Sequence, residues 1–264
     1  GRTMRQSRTT EEFRFVKQGV SQTGGLTDIC TTVCDARGYR IDHHITYREG
    51  EKNLRSFCTF FNEGTEAATL ELLSSFSLGK ISPLMEGDGH DTIKMHRLRG
   101  VWSMEGRLET KTLEEMQLEP SWAGHAVRAE RFGQAGSMPV NGYFPSLVLE
   151  DSKNHIFWGA QIAHNASWQM EVYRRGDDVQ MSGGLADREL GHWMKEIKPG
   201  GSFTTPEAIL SVCRAQNYEV IFQRLTAALE YTVESGPDCE QDLPILFNEY
   251  CTTWGCPSHD NIRE

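Results

Sequence analysis

The sequence lacks a long apolar run and an excess of basic residues. No stretch of its 264 residues approaches the ~20 consecutive apolar residues of a membrane-spanning helix, and its N-terminus shows no charged-then-apolar signal pattern. Lys and Arg number 27 against 37 Asp and Glu, which gives a formal net charge of −10 at pH 7. We therefore expect neither a membrane nor a nucleic acid as a partner, and a neutral ligand fits the charge better.

Cysteine is present but lacks the regular spacing of a disulfide framework. The seven cysteines are an odd number, and a chain of this size can build a core without covalent staples. A reducing compartment, the cytoplasm, is therefore expected. The cysteines are Cys30, Cys34, Cys58, Cys213, Cys239, Cys251 and Cys256.

The common nucleotide-binding, serine-hydrolase and zinc-protease motifs are absent, and one apparent metal motif fails on geometry. Cys30 and Cys34 with His43 and His44 offer four zinc ligands. Residues 27–34 alternate like a strand, however, which holds the two cysteines ~13 Å apart. Adjacent histidines on a strand point to opposite faces, so we predict His43 to be a core residue and His44 to be exposed. Neither a metal nor a cofactor is predicted.

Apolar and polar residues alternate along much of residues 1–204, which is the pattern of half-buried antiparallel strands. The alternation is clear at residues 40–48, 70–78, 156–162 and 168–172, and Gly-rich breaks separate the segments. The fold is therefore predicted to be mainly β, with antiparallel sheets packed as a sandwich.

The pattern changes after Pro206. Apolar residues at spacings of three and four from Tyr218 to Val233 predict an amphipathic helix that ends at residues 235–237, Ser-Gly-Pro. A continuous apolar run at residues 243–247 is typical of a strand buried on both faces, as in a parallel barrel. Ser258 has the position and chemistry of an N-cap for a further helix.

Three polar segments could carry function. Residues 97–107 combine Arg, Trp and Glu, a mix that suits a sugar site because planar donors hold hydroxyls and an indole faces the ring's C–H surface. A charged strand face is the alternative. Asp187 and Glu189 could act as an acid/base pair, but the intervening Arg188 favours a structural salt-bridge cluster. Asn165 begins a glycosylation sequon, which without a secretory signal is better interpreted as a polar turn.

Five segments in series resemble family 36 glycoside hydrolases, of the α-galactosidase and α-N-acetylgalactosaminidase type. Each segment alone is a weak signal, whereas their order and spacing together are specific. The segments are residues 95–99 with 102–107, residues 131–134 with 136–140, residues 158–161, residues 167–169, and residues 183–193.

The resemblance implies an antiparallel β-supersandwich, a linker helix and a (β/α)8 catalytic barrel. On this basis residues 1–204 are assigned to the supersandwich, which is expected to lack its own N-terminal strands. Residues 205–236 are assigned to the linker helix, and residues 237–264 to the first strand and helix start of a truncated barrel. The resemblance also implies a homo-oligomer, such as a tetramer.

The family's retaining mechanism uses two Asp residues, one in a Lys-Trp-Asp type motif and one in a Gly-rich Asp motif, and neither motif occurs here. The resemblance therefore implies part of a retaining, exo-acting α-galactosidase that hydrolyses terminal α-linked galactose from oligosaccharides. This chain would contribute no catalytic residue and would be inactive alone. Two alternatives remain open, an α-N-acetylgalactosaminidase of the same family and a non-catalytic carbohydrate-binding or assembly β-module.

The resemblance also implies substrate-binding residues. Active sites of barrels lie at the carboxyl ends of their strands, so Tyr250 and Trp254 are predicted to wall the sugar pocket, with Asn248 and Glu249 behind them. Packing at the barrel rim is the alternative. The sequence departs here from the Asn-x-Trp-Glu pattern common in α-galactosidases, which leaves the N-acetylated sugar open. Trp102 is predicted to approach the substrate from the supersandwich.

Overall fold

The structure is a computed structural model that describes residues 8–81, 90–118, 128–136, 138, 140–175, 178–233, 242 and 254–263. The chain divides into two compact units, Gly1–Leu229 and Glu230–Glu264. None of the helices within the described residues is long and apolar enough to cross a membrane.

Strands dominate the first unit. Sixteen strands lie within the described residues, and every pairing between them is antiparallel. They are β1 (Arg14–Thr23), β2 (Leu26–Cys34), β3 (Tyr39–Arg48), β4 (Leu54–Asn62), β5 (Ala68–Leu70), β6 (Ser74–Leu78), β7 (Ile93–Val101), β8 (Met104–Thr112), β9 (Arg128–Gln134), β10 (Ser146–Asp151), β11 (Ile156–Ile162), β12 (Trp168–Arg175), β13 (Asp178–Leu185), β14 (Lys195–Ile197), β15 (Ser202–Thr204) and β16 (Ala208–Arg214).

Four helices accompany the strands in the described residues. They are α1 (Arg8–Glu12), α2 (Arg188–Gly191), α3 (Glu219–Val233) and α4 (His259–Arg263).

The strands form three sheets. The largest has the order β1-β2-β3-β4-β16-β11-β10-β7-β8, with β15 also paired to β4. A four-stranded sheet has the order β6-β13-β12-β9, and β14 pairs with β5 in a third, two-stranded sheet. The predicted architecture of packed antiparallel sheets is confirmed.

The main core lies between the large sheet and the four-stranded sheet. Met95, Leu149 and Ala160 of the large sheet meet Trp168 and Met170 of the smaller one, and all five are fully buried or nearly so. This interdigitation of two apolar faces is what alternating sequences produce when sheets stack.

Helix α3 covers the opposite face of the large sheet. Its Ile221 and Leu225 pack against Phe157 and Ile209 of the sheet. Gly159 on β11 makes this approach possible, because a Cβ there would lie 2.7 Å from the Ile221 side chain. The middle of the large sheet is therefore covered on both faces.

Two sequence predictions need correction. Residues 70–78 do not form one strand, because the chain leaves the two-stranded sheet after Leu70 and enters the four-stranded sheet at Ser74. The segment assigned to a helix from residue 205 first forms strand β16, and α3 begins only at Glu219. The physical reason is that β16 is a central strand, hydrogen-bonded to β4 and β11 on its two sides, so its backbone is held in the extended conformation of the sheet.

Candidate functional site

Hairpin β7–β8 presents Trp102 to solvent. Val101 pairs with Met104, which leaves Trp102 and Ser103 as a two-residue turn. Ser103 adopts a left-handed φ of 60°, and its backbone N–H donates to Glu105 Oε1 at 3.1 Å. The Trp102 side chain is 87% exposed, so the turn holds a large aromatic surface in water without packing it.

Arg97 is buried at the base of the same hairpin. Its Nε donates to Glu109 Oε1 at 2.5 Å and its Nη1 donates to Glu130 Oε1 at 2.9 Å. The guanidinium carbon lies 4.5 Å from the centroid of the Tyr143 ring and 5.0 Å from that of Phe132. Two carboxylates and two rings thus engage Arg97, which favours the structural interpretation for this residue.

Arg99 lies on the same face of β7 and is partly exposed. Its guanidinium carbon is 4.5 Å from the Tyr143 ring centroid, and its Nε is 3.4 Å from Glu109 Oε2. Burial opposes ionisation of Glu109, but the hydrogen bond from Arg97 and the charges of Arg97 and Arg99 outweigh it, so the pKa of the Glu109 carboxyl is lowered. Glu109 therefore stays ionised and fixes both guanidinium groups in place.

The loop that precedes β10 braces the hairpin. The Gly100 N–H donates to the Gly142 carbonyl at 3.0 Å, and a Cβ on Gly100 would lie only 1.8 Å from the Val140 carbonyl oxygen. Val140 itself is exposed, as are Val101 and Met104 beside the turn. The braced tip of the hairpin therefore combines an exposed indole with further apolar surface, as contact sites do.

Of the residues predicted near a barrel pocket, the structure describes only Trp254. It lies in the second unit, is 81% exposed and has a left-handed φ of 52°. Tyr250, Asn248 and Glu249 lie outside the described residues, as does the predicted strand at residues 243–247. The substrate-binding role of all four residues stays a prediction.

The carboxylates of Asp187 and Glu189 form an ion-pair cluster. Both approach Arg131 Nη1, at 3.2 Å and 3.3 Å. Asp187 is the N-cap of α2 and accepts the Leu190 N–H at 2.8 Å, so these residues lie at the start of a helix. The structural interpretation of the cluster is confirmed, and Asn165 likewise lies in a bend between β11 and β12.

Sequence reasoning gave no role to the side chain of Gln169, which is wholly buried on β12. Neither its Oε1 nor its Nε2 has a hydrogen-bond partner in the described part of the chain. Two residues along the strand, Glu171 is also buried, 3.5 Å from Arg131 Nε. Alternation alone places Gln169 and Glu171 on the outer face of a sheet, so the sequence pattern does not indicate that they are buried.

The histidines considered as zinc ligands have other contacts. His43 Nε2 lies 2.9 Å from Ser56 Oγ, and burial, followed by the neighbouring His44, lowers the pKa of His43. Its side chain is half-buried rather than part of the core, which corrects the sequence prediction. The prediction that His44 is exposed was wrong, because its ring is half-buried against Phe57 and bonded to Asp28. No group of three or more His, Cys, Asp or Glu side chains within the described residues is placed to hold a metal ion.

No protein-family model matches the sequence, and no curated protein sequence matches it. Solved structures do match. An α-galactosidase from Lactobacillus brevis is similar with a TM-score of 0.64 and 14% identity, over 83% of this chain and 29% of that one. A GH36 α-galactosidase from Geobacillus stearothermophilus in complex with stachyose has a TM-score of 0.60 and 16% identity, over 76% of this chain and 28% of its own.

The galactosidase domain of an α-galactosidase–sucrose kinase gives a TM-score of 0.61 at 16% identity, again over 76% of this chain and 28% of that chain. The fold is that of the N-terminal region of family 36 α-galactosidases. The resemblance read from the five sequence segments is thereby confirmed at the level of fold. This chain spans less than a third of the length of the galactosidases that it matches.

Proposed function

We propose that this chain is the supersandwich part of a retaining, exo-acting α-galactosidase that hydrolyses terminal α-linked galactose from oligosaccharides. The observation that carries the proposal is the fold match to family 36 α-galactosidases over 76% or more of the chain, one of them in complex with stachyose. This fold match and the resemblance of the five sequence segments support a galactosidase-related origin.

The chemistry of such an enzyme requires residues beyond this sequence. A retaining glycosidase places two carboxyl groups ~5–5.5 Å apart, one as nucleophile and one as acid/base. The paired carboxylates described here serve structure instead, since Asp187 and Glu189 share Arg131, and Glu109 and Glu130 share Arg97. The chain alone is therefore proposed to be inactive.

The contribution of this chain to substrate binding is proposed to come from hairpin β7–β8. Trp102 offers an exposed indole face for the C–H surface of a sugar, and Arg99 beside Tyr143 offers guanidinium donors for its hydroxyls. In a homo-oligomer the hairpin tip would reach the substrate of a neighbouring subunit. Tyr250 and Trp254, with Asn248 and Glu249, would line the pocket from the barrel side.

Hydrolysis assays on two proteins test the proposal. The full-length gene product and the purified 264-residue chain are each given p-nitrophenyl α-galactoside and its N-acetyl-α-galactosaminide counterpart. We expect the full-length product to release nitrophenol from the galactoside preferentially, and the chain to release none from either.

Other outcomes point elsewhere. A preference for the N-acetylated substrate would replace the galactosidase by an α-N-acetylgalactosaminidase. Galactose binding without hydrolysis by either protein would replace the enzyme by a non-catalytic β-module.

A further inference from the structure

A thiol, an imidazole and a carboxylate lie in a row on strands β2 and β3. Cys30 is directly opposite His44 in the strand register, and its Sγ lies 3.8 Å from His44 Nε2. His44 Nδ1 lies 2.9 Å from Asp28 Oδ2. The imidazole stacks on Phe57 of β4, with ring centroids 4.7 Å apart and an interplanar angle of 7°.

This order of groups fixes the direction of proton transfer. Asp28 is an acceptor, so His44 presents Nδ1–H to it and turns the lone pair of Nε2 toward the Cys30 sulfur. Stacking on Phe57 holds the ring plane. A nucleophile beside a base that a third group orients is the arrangement that activates thiols.

The thiol needs such a base. Burial first, and then the charges of Asp42 and Asp28, raise the pKa of the Cys30 thiol, against smaller lowering effects from Thr32 and Lys17. At neutral pH the sulfur is therefore protonated and becomes nucleophilic only by passing its proton on.

A slot beside Cys30 gives access to the sulfur. Gly19 of edge strand β1 is the cross-strand partner of Cys30, so the two residues project from the same face. A Cβ built on Gly19 would have no atom within 4 Å. Strand β1 is exposed along its whole length, which leaves this side of the cluster open to a small molecule.

We propose that Cys30 is a thiol–disulfide exchange site in which His44 is the base and Asp28 orients it. The two ring nitrogens of His44 contact different partners on opposite sides of the ring, so the three groups do not converge on one metal ion. The backbone around Cys30 lies in strand ladders on both sides, so it offers no pair of free N–H groups for an acyl oxyanion.

The Cys30 S–H proton passes to His44 Nε2 while the sulfur attacks one sulfur of an external disulfide. The disulfide's S–S bond breaks, and a new S–S bond joins Cys30 to one half of the reagent. The other half leaves as a thiolate and takes the proton from the imidazolium, so one disulfide is consumed and one is formed.

The charges around the Cys30 sulfur are close to balanced. Asp28 and Asp42 face the sulfur from β2 and β3, Lys17 faces it from β1, and β4 contributes the uncharged ring of Phe57. Arg40 of β3 is ion-paired with Asp42, so two cations balance the two carboxylates and no charged disulfide is strongly preferred.

The test measures mixed-disulfide formation at Cys30. Trypsin leaves residues 18–37 in one peptide, so a Cys34→Ser background assigns any modification of that peptide to Cys30. The folded protein is treated with cystamine, hydroxyethyl disulfide or glutathione disulfide, and mass spectrometry follows the modified fraction with time. The exposed Cys256 of the same protein is the internal reference.

We expect His44→Gln to slow modification of Cys30 at least about tenfold, and Asp28→Asn to slow it several-fold, without changing the Cys256 rate. His43→Gln is the matched control, because His43 is the adjacent histidine on the opposite face of β3. The slowing by His44→Gln should appear with each of the three disulfides.

A Cys30 rate that is the same in His44→Gln and His43→Gln would overturn the proposal. If His44→Gln does not fold, Gly19→Leu decides, because it leaves the three groups intact and covers the slot. We expect it to slow Cys30 modification, and an unchanged rate would contradict access from that side.

Discussion

The middle of the large sheet, strands β10 and β11, and one of its edges, strands β1 to β3, belong to the same hydrogen-bonded sheet. Their side chains differ in how deeply they are buried. Strands β10 and β11 are almost wholly buried, with the main core on one face and α3 on the other. Strand β1 is exposed at every position, and β2 and β3 are mostly half-buried.

Whether another sheet or a helix covers a face of the sheet, more than backbone pairing, therefore decides whether a side chain on that face is available for binding or chemistry. In the covered middle a side chain is held by packing and has no free face. The two candidate sites lie where one side is open, at the tip of hairpin β7–β8 and on the face of β2 and β3.

The largest contrast is expected between two tryptophans. Trp168 is wholly buried and meets Phe132 edge-on at 5.8 Å, whereas Trp102 is 87% exposed. Trp168→Ala should lower the free energy of unfolding by about 3–5 kcal/mol, and Trp102→Ala should change it by no more than about 0.5 kcal/mol. Urea unfolding measures both free energies. A decrease for Trp102→Ala as large as that for Trp168→Ala would contradict the distinction between core and exposed surface.

Two glycine substitutions test the same contrast between the covered middle and the exposed edge of the sheet. Their expected effects on the free energy of unfolding are smaller. Gly159→Ala would push a methyl group into Ile221 of α3 and should cost about 1–3 kcal/mol of unfolding free energy. Gly19→Ala meets nothing within 4 Å and should leave stability unchanged or raise it by about 0.5–1 kcal/mol. Equal midpoints of urea unfolding for the two variants would mean that α3 does not pack on β11 as described.

The exposed tip of hairpin β7–β8 should affect substrate binding and not the chemical step. In the full-length enzyme, Trp102→Ala should raise KM about three- to tenfold with little change in kcat, because a stacking contact is lost that the reacting atoms do not need. Val20→Ala, at an exposed position of β1 outside the hairpin tip, is the control and should leave both constants unchanged. Unchanged KM in Trp102→Ala would leave the indole without a role in binding.

The smallest effect concerns pH. Burial, and then the adjacent His44, lower the pKa of His43, so below the ordinary histidine range the unfolded chain binds a proton that the folded protein refuses. The free energy of unfolding should therefore fall as pH is lowered from 7 to 5. His43→Gln should show a shallower fall, although buried His96 and half-buried His164, whose pKa values are also lowered by burial, keep part of it. Parallel pH profiles would contradict the burial of His43.

Periodicity was sufficient to predict the architecture. Alternation identified β3, β11 and β12, and spacing of three and four identified α3, because their apolar residues recur with the period of a strand or of a helix. It failed at β16, where the alternation of buried and exposed positions covers only residues 211–214, within the segment assigned to the helix. It also failed at residues 70–78, where alternation continues while the chain changes sheets.

The candidate site was less predictable for a physical reason. Trp102 stands out in the sequence by composition, but its exposure depends on a two-residue turn. The partners of Arg97 come from three other segments, through Glu109, Glu130 and Tyr143, and sequence spacing contains no information about such contacts. The error over His44 has the same origin, because Phe57 and Asp28 reach it from neighbouring strands.

Proton NMR of raffinose hydrolysis by the full-length gene product tests the central claim most directly. A retaining α-galactosidase that uses this chain as its β-domain should release galactose whose first-formed anomer is α, with β-galactose appearing only later by mutarotation, while the 264-residue chain alone releases none. Release of β-galactose first, or of no galactose at all by the full-length product, would contradict the account.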